Sequence, residues 1–414
     1  MKKFLALAAC LYLSGCASFG KGVAEAFIEN NQQEDTRQCE IQGSKFKGID
    51  AAFQNKNTVK ILMIHGVGAH MPGYSTRIRE NLAEDLGLNV FSRREKNLQL
   101  INPADGKTPV GNLLVTRMQN EDGSKNLEFY ELTWSEITNQ GKKILNYDVS
   151  GKYQHKRAAF NNTMKAFLDD TVPDPMIYLL DDEQLILSAT KQATCFMMSR
   201  NWEDLPDKYN GVCKVSSYQQ IKDMNNANII FITHSLGSRI LMDSIVDIVQ
   251  EVGAIDGKAN PTAQRIIEGL RQKELTVFML ANQLPLLQIG RKQPEVHNQI
   301  PQYCSPKGKN YGKRVFSKVN IIAFSDPNDL LSYDVEQSFI DDYMDSRMCP
   351  SLTNVSLNVA EVISAFGVGV VNPVTAHTEY DNDSRVIKLI SQGVENFQND
   401  KDFSKKCKFI KLAD

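Results

Sequence analysis

Residues 227–243, ANIIFITHSLGSRILMD, run a strand-forming stretch, Ile229 to Thr233, straight into His234-Ser235-Leu236-Gly237 and on into a helix-forming stretch, with no turn residues to spare. A serine at such a corner is a nucleophile if a base within hydrogen-bond reach takes its proton. The chain offers six histidines, His65, His70, His155, His234, His297 and His377. His234 adjoins the serine, but neighbouring side chains at a tight corner diverge, so it is a poor choice of base. An imidazole that works as base needs an anion to hold its tautomer and stabilise the imidazolium. Two carboxylates stand in a turn after an apolar run in NIIAFSDPNDLLSY (320–333): Asp329, and Asp326, which could instead shape an Asx-turn with Asn328. A third segment, ILMIHGVGAH (61–70), carries an apolar run into His-Gly-Val-Gly, where glycines let a backbone N–H face a carbonyl oxygen and His65 reads as a brace for the loop.

These residues need a scaffold. Apolar runs at 58–66, 112–118, 127–134, 227–233, 274–282, 318–325 and 352–360 alternate with helix-forming stretches such as Ser75–Leu86, Ser238–Val252, Pro261–Lys273 and Ser384–Phe397. Several of the runs are almost continuously hydrophobic, as strands buried on both faces are. The alternation predicts an α/β fold: a mostly parallel sheet flanked by helices. Roughly residues 138–222 lack strong strand signals and read as a largely helical insertion, either a cap over the site or helices on the sheet flank. VISAFGVGVV (362–371) reads as a buried helix or loop wall, and FYELTWS (129–135) as a strand with Trp134 packing at its end. Asn282 and Gln283 fall at a strand's C-terminal edge near the site. The aspartates of DDTVPDPMIYLLDD (169–182), Asp174 among them, lack metal-ligand regularity and read as a solvated loop with helix caps.

Strand, tight turn and helix around Ser235 resemble the nucleophile elbow of the α/β-hydrolase superfamily, specifically its lipase- and esterase-like serine hydrolases. Positions two before and two after the serine must be small there, because strand and helix nearly touch. Gly237 conforms; Thr233 departs from the G-x-S-x-G pattern and puts the elbow's placement in doubt. The resemblance implies His377 as the base, since it lies after the last predicted strand and before the final helix. It implies Asp329 as the acid, with Asp326 as the alternative. The oxyanion donors would be the N–H of Leu236 and that of Val67 or Gly68. The order Ser235, Asp329, His377 is the order this fold uses.

Composition is ordinary for a globular chain: 414 residues, 42% hydrophobic, 23% charged, net charge −2 and pI about 6.3, with no electrostatic footprint for nucleic acid. Lys405, Lys406, Lys408 and Lys411 read as a solvated tail. There is no G-x-G-x-x-G loop, no P-loop and no zinc-like cysteine spacing, so no cofactor and no metal are implied. Lys2 and Lys3, the apolar FLALAACLYL and small residues before Cys16 predict a secretory signal over residues 1–15. Leu13-Ser14-Gly15-Cys16 resembles the lipobox of bacterial lipoproteins, which implies cleavage before Cys16 and acylation of its thiol. An ordinary signal peptide with a chance cysteine is the rival. Ala17, not aspartate, points to the outer membrane facing the periplasm. Residues 16–50 read as tether and N-terminal arm, and 51–414 as one domain. Six cysteines remain, suited to an oxidising compartment. Proximity favours Cys195 with Cys213; Cys304 could staple to Cys349, leaving Cys39 for Cys407.

The expected function is an envelope serine hydrolase cleaving carboxylic esters, with acyl or lipid-like small molecules as substrates and a membrane reached through the lipid anchor. The alternatives are an acyltransferase or thioesterase with the same residues, and a catalytically silent scaffold.

Overall fold

The computed structural model describes residues 37–410, apart from 55–57, 91–93, 151, 153–155, 181, 214–219, 221–225, 227, 255–260, 366–367 and 396–404. Cys16, the signal segment, His155 and Lys411 lie outside the described residues. The strands are β1 (Cys39–Gly43), β2 (Thr58–Ile64), β3 (Asn89–Val90), β4 (Lys96–Ile101), β5 (Pro109–Gln119), β6 (Asn126–Thr133), β7 (Lys208–Gly211), β8 (Asn228–His234), β9 (Glu274–Leu280), β10 (Lys318–Ser325), β11 (Pro350–Leu357), β12 (Ile363–Ala365), β13 (Val368–Val370) and β14 (Lys408–Ile410). The main helices are α1 (Thr76–Leu86), α2 (Glu136–Lys142), α3 (Ala159–Thr171), α4 (Pro173–Tyr178), α5 (Glu183–Ser199), α6 (Leu236–Ala254), α7 (Pro261–Arg271), α8 (Pro373–Thr378) and α9 (Ser384–Gln392).

All strands but β12 and β13 join one twelve-stranded mixed sheet in the order β14-β1-β11-β10-β9-β8-β2-β6-β5-β4-β7, with β3 on β5. From β11 to β6 every neighbour is parallel; β1, β3 and β5 pair antiparallel with their sheet neighbours β11, β5 and β6. The sheet is thus mostly parallel and covered on both faces. Alternate residues of each central strand go to opposite cores, as the two-residue period of a strand requires. Leu62, Ile64, Phe231, Val277 and Ile321 pack with α5 and α6. Ile61, Met63, Ile232, Phe278 and Phe324 pack with α1 and α9.

The structure departs from the sequence reading at several elements; Lys408, read as part of a solvated tail, lies in β14 and pairs with β1. The arm contributes strand β1 and a helix at Ile49–Phe53, because Cys39 and Ile41 alternate inward and pair with β11. Residues 362–371 form the β12–β13 hairpin instead of a helix or loop wall. Within 138–222, α5 buries most of its length against the sheet, as the flank alternative expected, and β7 pairs with β4, a strand the reading did not expect. The disulfides are Cys39–Cys407, Cys195–Cys213 and Cys304–Cys349, the three pairs expected.

Candidate active site

Ser235 follows β8 at φ +55°, left-handed backbone that a side-chain-bearing residue holds only when its surroundings impose it. Its N–H donates to Leu280 O at 2.9 Å, the first N–H past the end of β8. A Cβ on Gly237 would lie 2.5 Å from Ile64 O and 2.7 Å from His65 O, so α6 meets the end of β2 where only glycine fits. A Cβ on Gly66 would lie 2.6 Å from that of Ser235. Thr233, the departure from pattern, is buried with its Oγ1 2.9 Å from Ser238 Oγ on the first turn of α6. The methyl-bearing side chain is accommodated by a hydrogen bond across the elbow.

His377 sits on α8, whose start is capped by Asn372 accepting from Val374 and Thr375 N–H. Its Nε2 lies 3.1 Å from Ser235 Oγ, and its Nδ1 lies 2.9 and 2.8 Å from the two carboxylate oxygens of Asp329. Burial opposes charge on Asp329, yet the His377 hydrogen bond and the Leu331 N–H hold its carboxyl below the ordinary value. Asp326 is buried and committed elsewhere. One oxygen accepts from Asn328 N–H and its side chain, the expected Asx-turn, and the other from Val359 and Ala360 N–H after β11. Of the two carboxylates, Asp329 is the one brought to the imidazole.

His234 and His65 brace this arrangement. His234 Nε2–H donates to His377 O at 2.8 Å and fixes the backbone that carries the base. Burial, with the nearby His377, pushes its pKa down to about 3, so it is neutral. His65 lies stacked between Trp134 and His70, and its Nε2 accepts from Trp134 N–H at 3.2 Å. Burial holds it neutral as well. The loop that follows is lashed to β6: Glu131 accepts from Gly73 N–H at 2.5 Å and from the N–H and hydroxyl of Ser75. Asn282, fully buried after β9, donates its side-chain amide to Tyr333 O.

The candidate oxyanion donors separate here. Gly68, at φ +95°, donates its N–H to Asp174 Oδ2 at 2.6 Å, and Ala69 N–H donates to Asp170 Oδ2 at 3.1 Å. Gly68 N–H is thereby occupied. Val67 N–H, next to the Gly66 that touches Ser235, and Leu236 N–H at the start of α6 carry no such commitment among the described residues. Asp174 is fully buried, with Lys142 Nζ 2.8 Å from its Oδ1. It is no part of a solvated loop: α4 places it under the insertion, in contact with the loop after β2. Lys142, Asp174, Glu131 and His234 are residues that sequence reasoning missed as contributors to the site. Only the flanking prolines of Asp174 hint at a helix start there, and nothing local announces its burial.

Ser235 itself is fully buried, so a substrate reaches it only when part of its cover moves. Chemically, the arrangement can take a proton from a serine hydroxyl and hold the imidazolium on a carboxylate. No family model, no curated protein and no solved structure matches this chain.

Proposed function

We propose that the protein is a serine hydrolase of α/β-hydrolase type that cleaves carboxylic esters through an acyl-enzyme, and that it is held in a bacterial cell envelope by acylation of Cys16. One observation carries the chemistry: a strained Ser235 hydrogen-bonded to His377 Nε2, whose Nδ1 is in turn held by Asp329. His377 takes the Ser235 proton as Oγ attacks the ester carbonyl. The N–H groups of Leu236 and Val67 receive the oxyanion, a type of contact worth roughly 10²–10³ in rate per donor. His377 then gives its proton to the departing alcohol. A water deprotonated by the same imidazole releases the carboxylic acid and restores the serine.

A fluorophosphonate probe tests this directly. The folded protein is expected to gain the mass of one phosphonyl group, and Ser235→Ala none. Absence of labelling in the wild-type protein, on a range of probe chain lengths, would leave a folded scaffold without hydrolase chemistry.

A further inference from the structure

We propose that the edge of the sheet bearing Ser235 docks on the surface of a neutral phospholipid bilayer, through the outward apolar stripe of α3 and α4. Met164 and Leu168 on α3, Val172 at the joint, Met176 on α4 and Leu180 in the turn after it recur every fourth residue, the spacing of one helix face. All five are exposed, rising from 36% at Met164 to 72% at Leu180. Helix α3 buries none of its described side chains, although a helix of its length is marginal in water without a packed face. Contiguous exposed apolar surface of this kind marks an interaction site.

Two observations place that stripe on the catalytic edge. Asp170 and Asp174 of α3 and α4 bind the N–H groups of Ala69 and Gly68, so the pair lies over the loop at the C-terminal end of β2. The loops after β2 and β10 on the same edge add Met71 and Leu330, exposed by 77% and 73%.

The chain itself says what covers this edge. Because β1 runs antiparallel to β11, Cys39 pairs with Leu357, at the strand end where the parallel strands deliver the site. Arg37 donates to Val359 O at 2.7 Å, one step further out. The described body therefore begins on the catalytic edge. Twenty residues separate Arg37 from Cys16, which at full extension span at most about 70 Å. An acyl chain on Cys16 would hold the body by a tether that enters at this edge, on the side of the stripe. The charges of α3 and α4 themselves are paired: Lys165 lies 3.6 Å from both Asp148 and Asp169, and Lys142 lies 3.4 Å from Asp170 and 2.8 Å from Asp174. That suits a zwitterionic surface better than an anionic one.

The proposal rests on the anchor assigned above and is independent of the ester chemistry. Its test uses the chain from residue 16 with Cys16→Ser, so that no acyl group contributes, and phosphatidylcholine vesicles with brominated chains. A tryptophan at Leu168→Trp is expected to be quenched, and one at Asp122→Trp, in the turn at the opposite edge, not. Leu168→Ser with Met176→Ser is expected to weaken vesicle binding at least tenfold while fluorophosphonate labelling stays unchanged. Equal quenching at both positions, no quenching at either, or serine variants that bind like the parent would overturn the docking. So would a dimer in solution that the serine variants dissolve, since a second copy would then cover the stripe. Loss of labelling with docking intact would instead remove the hydrolase reading alone.

Discussion

Asp329 meets His377 with both carboxylate oxygens, while Asp326, three residues earlier, gives both of its own to N–H groups and the Asn328 amide. The same side chain therefore does electrostatic work at one position and architectural work at the other. Asp329→Asn should leave the fold intact and lower kcat by about 10³–10⁴, because an amide lets the imidazole settle in the wrong tautomer. Asp326→Asn should instead lower the urea midpoint, since one of its oxygens becomes an NH₂ facing backbone N–H groups, and leave kcat of the folded fraction within a few-fold. Paired kinetics and unfolding curves check both; a reversed pattern would exchange the two roles. The sequence narrowed the acid to this loop and the resemblance favoured Asp329, but Asp326 stayed open, because the choice depends on where α8 hangs the imidazole.

At the scale of elements, the informative contact is between an insertion and a loop. Helix α4 carries Asp174 to Gly68, and α2 brings Lys142 to neutralise the carboxylate. Removing one member of a buried pair costs at most about 3–5 kcal/mol, an upper bound here because Asp170 stays 3.4 Å from Lys142. Asp174→Ala should therefore destabilise by up to that amount and also lower kcat by more than tenfold with KM little changed, as the freed loop misplaces the Val67 N–H. The double variant Lys142→Met with Asp174→Asn should recover most of the stability, and its kcat reads the positioning effect alone. A double variant with kcat equal to that of wild type would limit the pair to stability. None of this was legible beforehand. Helix periodicity announces α3 and α4 but is silent about which loop they cover. The strand–turn–helix around Ser235, by contrast, was legible because its steric demands are local.

The whole molecule carries its histidines as a pH liability. His234 and His65 are buried neutral, with folded pKa values below the unfolded 6.5, His234 at about 3. The unfolded chain thus binds more protons in this range, and stability, complete above about pH 6.5, falls as pH drops below it. Each group can remove about 1.4 kcal/mol per pH unit. Urea midpoints measured from pH 7.5 to 4.5 should decline steeply below pH 6.5. His234→Gln, which keeps a donor for His377 O and does not titrate, should flatten the decline. A decline equally steep in that variant would assign the acid sensitivity elsewhere. The Cys39–Cys407 bridge works at this scale too, tying β1 to the start of edge strand β14 across a separation of 368 residues.

The sequence determined what local chemistry and periodicity encode: the apolar runs that became β2, β5, β6 and β8 to β11, the elbow that strains Ser235, and a short roster of partners for it. Proximity along the chain also favoured, without fixing, the three disulfide pairs that the structure holds. Tertiary structure alone decided matters of approach between distant segments: Asp329 over Asp326, Val67 over Gly68 as the uncommitted N–H, the burial of Asp174, and the strand hidden in the N-terminal arm. Those outcomes depend on how elements hundreds of residues apart pack on one sheet. No window of residues specifies that packing, because it is the sum of both cores.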